Sequence, residues 1–409
     1  MLEVQAAIER VARDSYGRLL AFLSARSHDV AAAEDALADA MDAALRTWPA
    51  AGLPASPEAW LLVTARRKLI DAARHKLVHD AAVPTLLAVA DDAYDMASQC
   101  EVFPDERLKL LFVCAHPAID VTARTPLMLQ TVLGLDAARI ASALLVKPAS
   151  MGQRLTRAKA KIRDARIAFD VPEASELPER LHAVLEAIYA AYSAGWDDFT
   201  GADVRRKDLA TDALALGRLL LQLMPDEPEV KGLLSLMLSC ESRRAARIDS
   251  GGRYVPLSEQ DAGKWAWPLL GEAHQLLLSA EDGAKIGCFQ LEAAIQSAHT
   301  QRAVTGRVDW EEVALLYEGI VRLSPTTGAL VGRAAAAAEA RGAEFGWSLL
   351  QAIPAQAVAS YQPYWALACH LLWRMGRADE ARIASDRAIG LCEDPAVRAF
   401  LQGRAAAGG

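Results

Sequence analysis

Residues 124–169 read RTPLMLQTVLGLDAARIASALLVKPASMGQRLTRAKAKIRDARIAF. Gly134 and the pair Lys147-Pro148 divide this stretch into three segments, because glycine commonly ends a helix and proline commonly begins one. In the last segment apolar residues recur at spacings of four, three and four, which indicates the buried face of an amphipathic helix: Met151, Leu155, Ala158 and Ile162. The stretch therefore predicts three helical segments, with the last two arranged as a helix, a turn and a helix.

The opposite face of this last segment carries long hydrogen-bond donors: Ser150, Gln153, Arg154, Arg157 and Lys161. Residues 124–170 hold nine Lys and Arg against three Asp and Glu, a local balance of +6, whereas the whole chain has a net charge of −8. A basic helix on an acidic protein is typical of a phosphate-backbone partner, although a solvated surface helix has the same composition. The preceding helix, with Ile140 and Leu144, favours a DNA-binding helix-turn-helix.

Composition predicts an all-α protein. The 409 residues are 53% hydrophobic and 23% charged, rich in alanine and poor in aromatic residues. This length allows two or three packed domains. We see neither an apolar run of membrane-spanning length nor a signal peptide, so we expect a cytoplasmic protein without a membrane partner. The six cysteines occur singly without a CxxC pair, so we expect reduced thiols and neither a metal nor another cofactor.

Charge is divided unevenly along the chain. Residues 1–170 contain 21 basic and 21 acidic residues, whereas residues 171–409 contain 23 basic and 31 acidic ones. The acidic excess of the second part disfavours broad contact with nucleic acid, because like charge repels phosphates.

The first 50 residues predict two helices broken near Ser27-His28-Asp29, with Asp29 as the N-cap of the second. The exposed side of that second helix is acidic: Glu34, Asp35, Asp39 and Asp42. Two interpretations stay open at this point. The face either increases solubility or docks a basic protein partner.

A proline-rich turn over residues 48–57 precedes another helix, which Ser56 and Pro57 are expected to begin. This helix carries a basic cluster: Arg66, Arg67, Lys68 and Arg74. Three consecutive helical residues sweep about 200° around the axis, so the triplet must spread over more than one face. Some of these cations therefore point towards solvent or a phosphate.

Four runs together resemble the extracytoplasmic-function sigma factors of bacterial RNA polymerase, in the branch with a long C-terminal helical extension. They are DVAAAEDALADAMDAALRTWP (29–49), SPEAWLLVTARRKLIDAARH (56–75), FPDERLKLLFVCAHPAID (103–120) and ALLVKPASMGQRLTRAKAKIR (143–163). The resemblance implies a sigma region 2 domain (1–78), an interdomain linker (79–103), a sigma region 4 helix-turn-helix domain (104–170) and an extension similar to tetratricopeptide repeats (171–409).

The resemblance also implies roles for particular segments. Residues 33–35 and the turn after them would dock on the clamp helices of the polymerase core, although Ala38 stands where the family usually has glutamine. Residues 60–75 would open and hold the minus-10 promoter element, and the loop 50–57 would receive a flipped base. The helix from Ser150 to Arg157 would read the minus-35 element.

In the extension, Ala368, Gly376, Ala381 and Ala388 match the small-residue positions of a tetratricopeptide repeat. An irregular segment contains Asp249, Gly252 and Arg253, where the resemblance implies a regulatory contact. A tight structural turn between helices explains the same residues.

These features predict a sigma factor that binds the RNA polymerase core and promoter DNA, with its extension regulating activity in cis. An enzyme is not predicted, since we find neither a GxSxG, a P-loop nor an HExxH motif. The alternative is a helix-turn-helix transcription factor that acts without the polymerase core and uses its helical domain to sense a ligand or protein.

Overall fold

In the computed structural model, the described residues are 15–77, 105–144, 146–196, 204–280, 286–392 and 394–407, with only the backbone described for 72–77, 142–143, 204–208 and 407. The predicted linker, residues 79–103, lies outside them. The described residues form helices joined by turns and loops, with no strand among them, so the all-α prediction is confirmed.

The helices of the first 200 residues are α1 (Tyr16–Ser27), α2 (Val30–Ala51), α3 (Pro57–Leu77), α4 (Arg107–Cys114), α5 (Val121–Leu133), α6 (Ala137–Ala143), α7 (Pro148–Asp164) and α8 (Leu177–Trp196). The later ones are α9 (Val204–Leu223), α10 (Pro228–Glu241), α11 (Trp267–Ala280), α12 (Cys288–Thr305), α13 (Trp310–Leu323), α14 (Thr327–Arg341), α15 (Ala343–Gln351), α16 (Ala355–Val358), α17 (Gln362–Arg374), α18 (Ala378–Leu391) and α19 (Pro395–Ala407). Three short 3-10 helices lie between α10 and α11: Arg244–Ala246, Leu257–Glu259 and Ala262–Lys264.

The chain folds into two compact units, Met1–Ala191 and Tyr192–Gly409. In the first, α1, α2 and α3 pack around a core of leucines and small residues that includes Leu19, Leu37 and Leu61. Trp48, near the end of α2, is buried and meets Trp60 of α3 edge to face at 5.3 Å. Alanines on α2 allow this close approach because they add little volume between the helices.

Helices α4 to α7 belong to the same unit. Gly134 ends α5 with a positive φ of 71°, and α7 begins at Pro148. The predicted stripe of α7 is buried. The three predicted segments and their divisions are therefore confirmed.

The first unit extends beyond residue 170, where the predicted helix-turn-helix domain ends. Arg180 of α8 donates to the carbonyl of Phe112 at 2.8 Å, and Thr125 donates to the carbonyl of Ala187 at 2.9 Å. Leu181, Val184, Leu185 and Ile188 of the same helix are buried. The compact unit consequently includes most of α8, which the prediction assigned to the extension.

In the second unit, helices pack against those next to them in the chain. Its cores include one beneath α12, α13 and α14 and one beneath α14 to α18. Ala368, Ala381 and Ala388 are buried, and Gly376 turns the chain after α17 with φ of 75°. Small residues at these positions let α17 and α18 approach closely, while a tetratricopeptide repeat as such stays a prediction.

Candidate functional site

The polar face of α7 is largely exposed. Ser150, Gln153, Arg157 and Lys161 have exposed side chains, and Arg157 donates from Nε to the carbonyl of Gln153 at 3.3 Å. These groups lie opposite the buried stripe, so one side of the helix presents donors to solvent. Such a face suits phosphate oxygens and base edges in a major groove.

Arg154 differs from its neighbours because it is half-buried. Its Nη1 donates to the carbonyl of Thr122, at the start of α5, over 3.2 Å. Hydrogen bonds from Thr122 lower the pKa of Asp120, and the charge of Arg154 lowers it further. Arg154 thus holds α7 against α5 in addition to its predicted contact with DNA.

The basic triplet of α3 spreads over two environments, as predicted. Arg67 and Lys68 are exposed, whereas Arg66 is half-buried. Burial lowers the pKa of Arg26; the charge of Glu106 opposes that shift, while the charge of Arg66 adds to it. The side chain of Arg74 lies outside the described residues. Two cations of the predicted DNA-binding cluster are therefore available on the surface of α3.

The loop before α3 is open. Gly52 has a positive φ of 86° with no neighbour where a side chain would project, and Leu53 is 41% exposed. Ser56 accepts from the backbone of Ala59 at 3.5 Å, so it caps α3 as predicted. The loop therefore presents an apolar side chain beside the basic helix.

The acidic face of α2 is not uniform. Asp35, Asp39 and Asp42 are exposed, and Asp42 forms an ion pair with Arg46 one turn later. Glu34 instead is largely enclosed: its side chain is 17% exposed and accepts a hydrogen bond from Lys159 of α7. Three of the four predicted docking carboxylates therefore face solvent, and the fourth joins two helices.

Lys159 was counted in the sequence only as part of the basic segment. It is 8% exposed and lies on the inner side of α7. One signal could have placed it there, since Lys159 stands four residues after Leu155 and eight after Met151, in register with the buried stripe.

The segment around Asp249 forms a closed turn in the second unit. Asp249 accepts from the backbone of Gly251 at 2.8 Å and of Arg253 at 2.9 Å, and from Nε of Arg253 at 2.8 Å. These bonds to Arg253 and Gly251 lower the pKa of Asp249. Gly252 has a positive φ of 76°, which favours glycine. The tight reversal predicted at this segment is confirmed, and its regulatory role stays a prediction.

Three arginines that the sequence analysis did not single out hold this segment in place. Arg247 lies 3.9 Å from the ring of Trp196 and donates to its carbonyl at 2.5 Å, and Arg244 donates to the carbonyl of Gly195 at 3.3 Å. Arg302 donates to the carbonyls of Leu257 and Gln260. In the sequence, the spacing of Arg244 and Arg247, three residues apart, is a signal for part of this cluster. Trp196 lies 51 residues before Arg247, so the sequence does not show their contact.

Cys114 is buried, with its Sγ 3.4 Å from Oγ1 of Thr131, and burial raises its pKa to about 12. Within the described ranges, no three His, Cys, Asp or Glu residues are grouped as a metal site would require. Of the helices described, none has both the length and the apolar character needed to cross a bilayer.

Comparison with known families matches two segments. Residues 11–77 match the model of sigma-70 region 2, and residues 180–281 match a family of unknown function, DUF6596. The chain belongs to the sigma-70 family, as an ECF-like sigma factor with a C-terminal extension. The sigma-70 region 2 match covers the acidic and basic helices α2 and α3 and supports a role in promoter recognition.

A relative of this sigma factor is an uncharacterized protein of Rhizobium meliloti (strain 1021). The two are 37% identical over 374 residues, which cover 90% of this chain and 88% of the relative. No solved structure matches significantly.

Proposed function

We propose that this sigma factor binds the RNA polymerase core, carries it to promoters and starts transcription there. The observation that supports this most strongly is the sigma-70 region 2 match over residues 11–77, which contain an acidic helix beside a basic one. The role is non-enzymatic, and it places the protein with polymerase and DNA in the cytoplasm.

Region 2 would supply the polymerase contact and the minus-10 contact. The exposed carboxylates Asp35, Asp39 and Asp42 offer an acidic surface for a basic partner, while Arg67 and Lys68 offer cations to a displaced strand. We assign Arg66 and Arg74 to the same DNA contact. The apolar loop around Leu53 suits an unstacked base, since bases separated from their neighbours gain by stacking on apolar groups.

Helix α7 would read the minus-35 element in the major groove. Gln153 faces outward in the first half of the helix, where recognition helices contact base edges, and Arg157 faces outward about one turn later. Ser150 and Lys161 flank them. Two DNA-contacting helices in one chain give bivalent binding, so weak contacts at each element combine into a specific complex.

Reconstituted transcription tests the proposal. Purified polymerase core with this protein should start RNA at defined sites, and DNA recovered from the complex should share two sequence elements. Arg157→Ala combined with Lys161→Ala should abolish initiation at those sites while core binding persists. A matched control, Arg307→Ala with Arg322→Ala, removes two exposed cations from the second unit and should leave initiation intact.

The alternative function would give a different result. A transcription factor that acts without polymerase would bind duplex DNA alone and ignore the core. That outcome would replace the proposal with the alternative.

We also propose that the extension regulates transcription in cis and that it is TPR-like. Its support is the net charge of −8 that residues 171–409 carry, which is opposite to the basic faces of α3 and α7. The turn formed by Asp249, Gly252 and Arg253 is the contact that we assign to regulation. A chain truncated after residue 196 should therefore differ from the full chain in initiation rate, and equal rates would contradict cis regulation.

A further inference from the structure

A cavity of about 170 Å³ lies among α17, α18 and α19, the last three described helices of the second unit. Residues one turn apart on α17 form one wall, and residues one turn apart on α19 form another. The larger side chains that line it are Cys369, His370, Trp373, Phe400, Leu401 and Arg404. A cavity of about 150 Å³ is large enough to bind benzene. This cavity therefore has room for a ligand with a single six-membered ring.

Aromatic side chains and an unsatisfied donor line the cavity. The rings of Trp373 and Phe400 are half-buried, and most of the lining surface is apolar. Nε1 of Trp373 is buried without a hydrogen-bond partner in the described structure, and the nearby thiol of Cys369 is only a weak acceptor. Buried polar groups nearly always have a partner. The cavity therefore favours a ligand with an aromatic body and a strong acceptor.

The cavity carries one unpaired positive charge. Arg404 is exposed in the last turn of α19, and its guanidinium lies 6.0 Å from the centre of the Phe400 ring. Arg374 is paired with Glu339, whereas we find no carboxylate paired with Arg404 among the described residues. Burial lowers the pKa of His370, the charges of Arg404 and Arg374 lower it further, and Glu339 opposes them. His370 is therefore largely neutral at pH 7, and Arg404 supplies the charge.

We propose that this cavity binds a small aromatic monocarboxylate, with its ring against Trp373 and Phe400 and its carboxylate on Arg404. The planar guanidinium of arginine donates two parallel hydrogen bonds to a carboxylate, which gives both affinity and orientation. A single cation matches a single negative charge, and the volume limits the ligand to about one ring. The site lies apart from the residues assigned to DNA and polymerase, so binding itself does not depend on the proposed function.

The cavity wall also contacts the segment around Asp249. Tyr254 meets Phe400 edge to face at 5.4 Å. Tyr254 pairs with Ile248 in an antiparallel bridge, which closes the turn that contains Asp249. A ligand packed against Phe400 stabilises the ring that holds Tyr254, so we expect the turn to open less often when the cavity is occupied. The step from this turn to transcription rests on the proposed function, which assigns the turn to regulation.

Ligand-observed NMR titration of the full-length chain tests the site, with benzoate as the probe. We expect saturable binding with a dissociation constant below about 1 mM. Benzamide has the same ring without the charge and should bind about tenfold more weakly or worse. Arg404→Gln should weaken benzoate binding by a similar factor. The control is Arg382→Gln, which removes an exposed cation of α18 that pairs with Asp379 and should leave benzoate binding unchanged.

Hydrogen exchange tests the link to the turn. The amide of Asp249 donates to the carbonyl of Arg253 at 3.0 Å, and the amide of Gly252 donates to the carbonyl of Asp249 at 3.1 Å. Both amides exchange only when the turn opens. Saturating benzoate should slow their exchange about twofold or more in the unsubstituted chain. Amides of α11 should be unaffected, and Arg404→Gln should show no slowing at the same benzoate concentration.

The outcomes separate the site, the link and the proposed function. No saturable binding of benzoate, equal binding of benzamide, or unchanged affinity in folded Arg404→Gln would overturn the site. Binding without slower exchange in the turn would overturn the link.

Reconstituted initiation with and without benzoate measures the regulatory consequence. The initiation rate should change with benzoate in the unsubstituted chain and not in Arg404→Gln. A chain that initiates at the same rate with benzoate bound would overturn the regulatory role of the site. A chain that never initiates would fail the proposed function, while the binding results would stand.

Discussion

Glu292 is a half-buried carboxyl group. It lies on α12, and burial raises its pKa to about 7, with the negative charge of Glu229 adding to the shift. Glu229 itself is held at the start of this helix, where it accepts from the backbone of Phe289 and Gln290. Glu292 is therefore more readily protonated in the folded chain than in the unfolded chain.

The sign of the pH effect follows from that difference. A carboxyl whose folded pKa is raised binds more protons in the folded state, so its contribution to stability is lost as pH rises from about 4.5 to about 7. Glu292→Gln removes this titration. We expect its free energy of unfolding at pH 8 to exceed that of the unsubstituted chain by up to about 3 kcal/mol.

Urea unfolding at pH 5, 6, 7 and 8 measures this effect. Glu344→Gln is the control, because Glu344 is exposed on α15. Parallel stability curves for Glu292→Gln and the unsubstituted chain would contradict the assignment.

Two glycines in helices should respond oppositely to alanine. Alanine is favoured over glycine inside a helix by about 1 kcal/mol, and nothing lies within 4 Å of a Cβ at Gly152, so Gly152→Ala should be neutral or stabilising. Gly17→Ala places a methyl against the backbone of Val132 and should lower the free energy of unfolding by about 1–3 kcal/mol.

Thermal or denaturant unfolding of the two variants checks this prediction. A stabilising Gly17→Ala would show that α1 and α5 are not packed as described.

The sequence predicted which faces of the helices are exposed, but it did not predict which polar residues on those faces are enclosed. Asp35, Asp39 and Asp42 are exposed as an acidic face requires, but Glu34 on the same helix is enclosed. Periodicity defines which side of a helix is polar, whereas the partner of a polar residue comes from another part of the chain. The pairing of Glu34 with Lys159, 125 residues later, therefore needed the structure.

The ends of the helices were predictable from the sequence because their signals are local. Asp29 caps α2 by accepting from the backbone of Ala32 at 3.1 Å, Pro57 and Pro148 begin α3 and α7, and Gly134 ends α5. The continuation of the first unit into α8 had no such signal. It depends on contacts between distant parts of the chain, such as the hydrogen bonds from Arg180 to the carbonyl of Phe112 on α4 and from Thr125 on α5 to the carbonyl of Ala187, which the sequence does not indicate.

We expect different residues of α7 to determine the specificity and the affinity of DNA binding. Gln153 faces outward near the helix start, so Gln153→Ala should relax discrimination at one base pair of the minus-35 element by about 1–3 kcal/mol. Lys161 lies two turns further along, where we expect a phosphate contact. Lys161→Ala should weaken binding equally on all sequences and reduce the salt dependence by about one unit of slope.

Binding of the holoenzyme to promoter variants at several salt concentrations distinguishes the two effects. The same loss for both substitutions on every sequence would contradict a base-reading role for Gln153.

The stability of a truncated chain should depend on whether it keeps α8. Removal of everything after residue 172 would expose the surface that Leu181, Val184, Leu185 and Ile188 cover, and each buried aliphatic side chain contributes about 1.5–3 kcal/mol. A chain that ends at residue 196 keeps this cover. We expect the longer fragment to unfold cooperatively at a higher temperature than the shorter one.

Calorimetry of the two fragments checks this expectation. Equal transition temperatures would show that α8 contributes nothing to the first unit, and either fragment would then serve for tests of cis regulation.

The protein is acidic, and its first unit combines cationic helices, which we assign to DNA, with an acidic helix, which we assign to the polymerase. We propose that this unit docks on the polymerase core. The most direct measurement is the equilibrium binding of the full chain to purified bacterial RNA polymerase core, followed by start-site mapping of the RNA that the complex makes. We predict a stable complex and discrete start sites, and a chain that leaves the core unbound at every concentration would contradict the account.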